Sequence, residues 1–260
     1  MRDSSVNFDR AADFYDATRG FPEGEDQHVA KFVADVAGLP SNARVLEIGI
    51  GTGRIALPLS RTMGEFYGID ISEKMLERLR QKQTDEAVFV SVGDAMRLPF
   101  ANGIFDAVVI VHVLHLVKDP DKVLAEVGRV LNPDGVVLKC QNQTNVQQDA
   151  TTPLNDAWLH ATRKVRSARD LWRNVDVLMQ ENGWSSQKPA QSYRYQTLTT
   201  PQDFLDRVES RAWSSTWDMP DDIWQAGVNA VKAAIEEHFG GDATVQIQQE
   251  AGFEVEVFGR

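Results

Sequence analysis

A chain of 260 residues with 42% hydrophobic and 25% charged residues has the make-up of a folded protein with a sizeable core and excludes a disordered or fibrous one. Its 38 acidic residues outweigh 27 basic ones for a net charge of −11, which repels nucleic acid and anionic membrane surfaces. The single cysteine, Cys140, excludes an internal disulfide and a multi-cysteine metal site. With a polar N-terminus, no export signal and no apolar run long enough to span a bilayer, a cytoplasmic location is expected.

In chain order, Val29, Phe32, Val33 and Val36 lie at i, i+3, i+4 and i+7 and predict an amphipathic helix that ends at Gly38 and Pro40. From about residue 44 to 140, short β-rich runs alternate with helical patterns: RVLEIG then RIALPLSRTM, EFYGID then SEKMLERLRQK, AVFVSV, FDAVVIVHV then DPDKVLAEVGRVL, and GVVLKCQ. Strands that are apolar on both faces and separated by helices call for a parallel sheet covered on both sides, a doubly wound α/β core. Asp119 and Pro120 start the helix after the fourth strand, and Asn132-Pro133-Asp134-Gly135 stops it. Beyond residue 145 the chain turns helical and aromatic and holds all six tryptophans. Residues 155–183 read as helix and Tyr193 to Leu198 as strand; helices start at Thr200-Pro201 and Pro220-Asp221. Val255 and Val257 then alternate with Glu254 and Glu256 in a closing strand pair or one long strand.

The strongest motif is Val45-Leu46-Glu47-Ile48-Gly49-Ile50-Gly51-Thr52-Gly53-Arg54, a buried strand running into a glycine-rich turn. Such glycines are needed where the backbone turns sharply or a ligand comes close, although a plain tight turn is the alternative. A dinucleotide site would carry its third glycine where Arg54 stands, and no P-loop pattern is present. Glu47 at the strand end repels a pyrophosphate but suits an ammonium or sulfonium, so the turn fits a ligand with cationic groups. Asp70 ends the next strand about twenty residues on, where its carboxylate can accept from both ribose hydroxyls; capping the helix near Ser72 is the other reading, and the two coexist. Asp94, in Val92-Gly93-Asp94-Ala95, brings a third carboxylate to the same edge, suited to an adenine amino group.

These residues resemble the class I S-adenosylmethionine-dependent methyltransferases of the type that includes the ubiquinone and menaquinone biosynthesis enzymes. The likeness rests on EIGIGTGR, GIDISEKML and GDAMRLPFANGIFDAVVIVHVLHLVKDPDKVLAEVGRVLNPDGVV, and covers about residues 40–140 and, more loosely, the final strand. It implies a Rossmann-like, doubly wound sheet of seven mostly parallel strands with a C-terminal antiparallel strand. Residues 1–145 would form an N-terminal cap and the cofactor-binding core, 146–242 a mostly helical substrate lid with one core strand near 193–198, and 243–260 the closing strand. It also implies S-adenosyl-L-methionine as cofactor. Gly49, Gly51 and Gly53 would line its methionine and ribose side and Glu47 its amino group. Asp70 would take the ribose, Ile71 and Met75 the adenine, Asp94 the adenine amino group and Ala95 the ring through its backbone. Tyr15 is the candidate N-terminal cap of the site, a frayed tail or surface helix being the other reading of that segment. Ile50 and Asp134 depart from the pattern, standing where a small residue or cysteine and a glycine are frequent.

Methyl transfer from a sulfonium is an in-line displacement, so alignment of the reactants matters more than a dedicated nucleophile. The implied partner is a small-molecule methyl acceptor, attacked through oxygen, carbon or nitrogen. Where the acceptor must lose a proton, His112 and His115 at the end of the fourth strand are the candidate bases; the competing reading is that each packs, or bonds the backbone or the cofactor carboxylate. Trp158, Trp172, Tyr193, Tyr195, Trp213 and Trp217 either wall an acceptor pocket or form core. Arg163, Lys164, Arg166, Arg169 and Arg173 read as a solvated helix face in preference to an anion-binding site. Two rival functions stay open: a non-catalytic S-adenosylmethionine-binding module and an NAD-dependent oxidoreductase, the latter disfavoured by Arg54.

Overall fold

The computed structural model describes residues 5–143, 150–163 and 174–260. Seven strands form one sheet in the order β3-β2-β1-β4-β5-β7-β6: β1 is Val45–Ile48, β2 Phe66–Asp70, β3 Val88–Val92, β4 Phe105–Val111, β5 Leu131–Gln143, β6 Ser185–Thr199 and β7 Ile247–Gly259. The first five pair in parallel, and an antiparallel pair from the C-terminal part completes the sheet. The expected fold class is the one observed.

The chain divides into two compact units. The first comprises residues 1–142, 173–193 and 253–260 and carries the parallel core. Its helices are α1 (Tyr15–Arg19), α2 (Glu25–Ala37), α3 (Ala56–Ser60), α4 (Glu73–Lys82), α5 (Pro120–Val130) and, numbered in chain order, α7 (Val175–Glu181). Val123, Leu124, Val127 and Val130 of α5 bury one stripe against Leu46, Ile48, Val108 and Ile110, as the apolar spacing requires. The alternate strand residues Val45, Glu47, Ala107 and Val109 are buried as well, on the other face. Strand register sets Glu47 between Gly68 of β2 and Val109 of β4, deep in an apolar layer.

Helix ends follow local chemistry. Asp119 caps α5 by accepting from the Lys122 N–H, and α2 stops at Gly38 in the left-handed conformation. The helix expected over RIALPLSRTM is confined to Ala56–Ser60, because the glycine turn occupies the residues before it. In place of one helix over 155–183 the structure has α6 (Thr152–Thr162) and α7; Lys164, Arg166, Arg169, Trp172 and Arg173 lie outside the described residues. The strand expected at 193–198 begins earlier, at Ser185.

The second unit, residues 143–172 and 194–252, holds α6, α8 (Pro201–Glu209) and α9 (Asp221–Phe239). Its core joins Leu154 and Trp158 to Leu205, Val208, Val228, Val231 and Ile235. Trp158 and Trp213 thus serve packing here, with the Trp158 ring set against Gly227. No helix among the described residues is long and apolar enough to cross a membrane.

Ile50, the departure noted in the glycine turn, is compensated in β2. A Cβ on Gly68 would stand 2.2 Å from Ile50 Cδ1 and 2.9 Å from its Cβ, so the side chain fills the space that glycine leaves. Gly68→Ala is expected to destabilise the protein by about 1–3 kcal/mol in urea unfolding, and Ile50→Ala in the same chain to recover part of that loss. Additive losses in the double variant would contradict this packing.

Candidate cofactor site

The turn after β1 is built from left-handed backbone: φ is +68° at Gly49, +55° at Gly51 and +76° at Gly53. Space matters as much as φ, since a Cβ on Gly49 would stand 2.5 Å from Val113 Cγ2 and one on Gly53 2.9 Å from Leu79 Cδ1. The turn is tied to β2 twice: the Gly49 and Ile50 N–H groups donate to the Ile69 carbonyl, and the Gly51 N–H donates to Asp70 Oδ2 at 2.8 Å.

Asp70 holds the Ser72 N–H through Oδ1 at 2.8 Å. Ser72, not Asp70, caps α4, accepting from the Met75 N–H at 3.2 Å. Burial pushes the Asp70 carboxyl up from its ordinary value against the pull of its backbone hydrogen bonds. Each carboxylate oxygen accepts more than one hydrogen bond, so this role leaves capacity for a ligand hydroxyl. Ile71 beside it is 41% exposed, whereas Met75 is buried with its Cε against Gly51. Asp94 uses Oδ1 to accept from the Met96 N–H at 2.8 Å, and Ala95 next to it is buried.

Glu47 is 2% exposed, and its Oε2 has no hydrogen-bond partner among the described residues. Burial pushes its carboxyl up to about 8; the Arg54 cation opposes this and the Asp70 charge adds to it. Burial also raises the Cys140 thiol on β5 well above its usual range, which keeps it protonated and inert.

The N-terminal segment crosses this edge. The Val6 N–H donates to the Leu116 carbonyl at 2.9 Å, after β4. The Ser72 hydroxyl donates to Asp9 at 2.6 Å, Arg78 pairs with Asp13, and Asp16 accepts from Thr52 Oγ1 at 2.5 Å and Lys82 at 2.7 Å. Tyr15 packs edge-on to Phe8 at 6.1 Å, and Arg54 lies 4.6 Å over the Phe21 ring. Sequence reasoning passed over Asp9, Asp13, Asp16 and Thr52, since each depends on a partner far along the chain. His112 follows β4, its ring 6.3 Å from that of His115, and its Nε2 accepts the Asn142 N–H at 2.8 Å.

Comparison with known proteins gives this arrangement a class. The methyltransferase domain family matches residues 46–138. The chain is 38% identical over 131 residues to the ubiquinone/menaquinone biosynthesis C-methyltransferase UbiE of Desulfotalea psychrophila, covering 49% of this chain and 53% of that one. It is 31% identical over 177 residues to the demethylmenaquinone methyltransferase of Mycolicibacterium paratuberculosis, covering 68% and 74%. The match spans about half the length of the first curated relatives. The YcgJ protein of Bacillus subtilis shares the fold at a TM-score of 0.57 and 20% identity, over 90% of this chain and 98% of that one. The chain belongs to the class I S-adenosylmethionine-dependent methyltransferase family.

The residues fit that family's cofactor. A buried carboxyl oxygen with no donor among the described residues suits an ammonium, and the left-handed glycines after it turn the backbone sharply at the strand end, where a Cβ on Gly51 would meet only Met75 Cε at 3.5 Å. An adenine would find an exposed apolar side chain in Ile71.

Glu47 also sets a pH dependence. Its folded-state value of about 8 lies above the ordinary 4.5, so the folded chain keeps a proton that the unfolded chain releases. The stability this confers is full below about 4.5 and is lost as pH rises to about 8. In urea unfolding without cofactor, the wild type is expected to lose stability relative to Glu47→Gln by at most about 1.4 kcal/mol per pH unit across this window. A pH-independent difference between the two would contradict the buried neutral carboxyl.

Proposed function

We propose that the protein transfers a methyl group from S-adenosylmethionine to a small-molecule acceptor, at oxygen, carbon or nitrogen. The observation that carries this reading is the buried Glu47 Oε2, without a hydrogen-bond partner among the described residues, just before a left-handed glycine turn that donates to Asp70. The bound cofactor supplies a methyl group on a sulfonium, which an acceptor nucleophile displaces in line, leaving a neutral thioether. Glu47 would meet the ammonium, and Asp70 would accept from the ribose hydroxyls while keeping the turn in shape. Ile71 and Met75 would flank the adenine, with Asp94 and the Ala95 backbone at its polar edge and Tyr15 in the covering segment. The protein's contribution to rate is then alignment and exclusion of water.

The named relatives make a reduced quinone ring the first acceptor to try. The test is formation of S-adenosylhomocysteine from S-adenosylmethionine across a panel of ring phenols that includes reduced demethylmenaquinone. A product dependent on one acceptor supports the reading; binding of the cofactor without turnover on any member supports the non-catalytic module. In calorimetry, Asp70→Ala is expected to weaken S-adenosylhomocysteine binding by about 1–3 kcal/mol, with Asp70→Asn between it and the wild type. Unchanged affinity in Asp70→Ala would remove Asp70 from the cofactor site.

A further inference from the structure

His112 stands where β4 ends, and its backbone is left-handed, with φ +53°. For a residue with a Cβ this conformation costs of order 1–2 kcal/mol, and such strain is held where geometry serves a purpose. What it positions here is the imidazole. Nε2 accepts the Asn142 N–H at 2.8 Å at the end of β5, and the Asn142 side-chain oxygen accepts from Arg54 at 3.1 Å. Arg54 is pinned in turn over Phe21. Imidazole, strand end and glycine turn thus form one chain of contacts.

A backbone N–H can only donate, so Nε2 is unprotonated and the ring's single proton sits on Nδ1. That Nδ1–H has no partner among the described residues. The charged and titratable groups acting on the ring are His115, from the segment after β4, Arg54, from the glycine turn, and Arg19, from α1. All are cationic or can become so. Although His112 keeps exposed surface, desolvation first and then these neighbours push its imidazole down to about 4, in keeping with an Nε2 already engaged as acceptor.

We propose that His112 is a fixed Nδ1–H donor that holds an oxyanion at the carboxyl edge of the sheet, within the positive field of Arg19 and Arg54, and is not the base that deprotonates an acceptor. The inference rests on the methyltransferase reading of the site. It deepens that reading by giving the edge a positioning residue of stated chemistry: Arg54 acts on both Glu47 and His112, the first a carboxyl suited to a cation, the second a neutral donor in cationic surroundings suited to an anion. The oxyanion is either the carboxylate of the cofactor's amino-acid end or an anionic oxygen of the acceptor. Both present the same chemistry to Nδ1.

The test is imidazole nitrogen NMR on uniformly 15N-labelled protein, with the His112 signals assigned by their loss in His112→Asn. Asparagine tolerates the left-handed backbone and places an N–H donor close to the imidazole Nδ1 position. Expected is an Nδ1-protonated tautomer that does not titrate between about pH 5.5 and 8. An Nε2-protonated ring, or a midpoint in the ordinary histidine range, would overturn the proposal. Addition of S-adenosylhomocysteine that moves the Nδ1–H signal identifies the cofactor carboxylate. His112→Ala then binds S-adenosylhomocysteine about ten-fold more weakly, and His112→Asn recovers most of that affinity. A signal that moves only when sodium benzoate joins the S-adenosylhomocysteine complex identifies the acceptor's oxyanion. A signal that responds to neither ligand, although S-adenosylhomocysteine binds, overturns the proposal. No S-adenosylhomocysteine binding by the folded wild type overturns the methyltransferase reading itself.

Discussion

A carboxyl group sealed among apolar strands is stable only in its neutral form or beside a cation, and Glu47 imposes that choice on the whole edge of this sheet. Its neighbours in register, Gly68 and Val109, offer it no polar group, and the nearby Arg54 is engaged with Asn142 and Phe21. Glu47 is almost fully buried, as is Ile50 in the turn that follows it. A ligand that brings an ammonium answers the constraint directly. A pyrophosphate would aggravate it, which is the physical reason that this glycine turn belongs to a different cofactor class from the dinucleotide folds.

The topology explains why the candidate residues converge. Strand order runs outward from β1 to β3 on one side and from β4 to β5 on the other, so the connections diverge between β1 and β4. Open parallel sheets bind ligands in the crevice that such a divergence leaves at the carboxyl ends of their strands. Glu47 and the glycine turn come from β1, Asp70 from β2 and His112 from β4, all at that edge. The N-terminal segment reaches it through three aspartates whose partners are Ser72, Arg78, Thr52 and Lys82, joining the segment to α4 and to the turn itself.

Much of this was legible in the sequence because it depends on local pattern. Strand runs, the α5 cap at Asp119, the stop of α2 at Gly38 and the starts of α8 and α9 are written in neighbouring residues. What depends on long-range geometry was not. Arg54 read only as a missing glycine, whereas the structure uses it to bind Asn142, 88 residues away. The left-handed backbone at His112 carries no glycine or asparagine to announce it. The same limit applies to β6, whose early residues alternate without a clear apolar face and are exposed in the sheet's edge strand.

The central proposal is that the buried carboxyl of Glu47 selects a ligand for its ammonium. The most direct measurement is a calorimetric comparison of S-adenosylhomocysteine with its deaminated analogue, with NAD as control. Loss of the amino group is expected to weaken binding at least about ten-fold in the wild type, Glu47→Gln to narrow this difference, and NAD not to bind. Equal affinity for the two adenosyl ligands would contradict it.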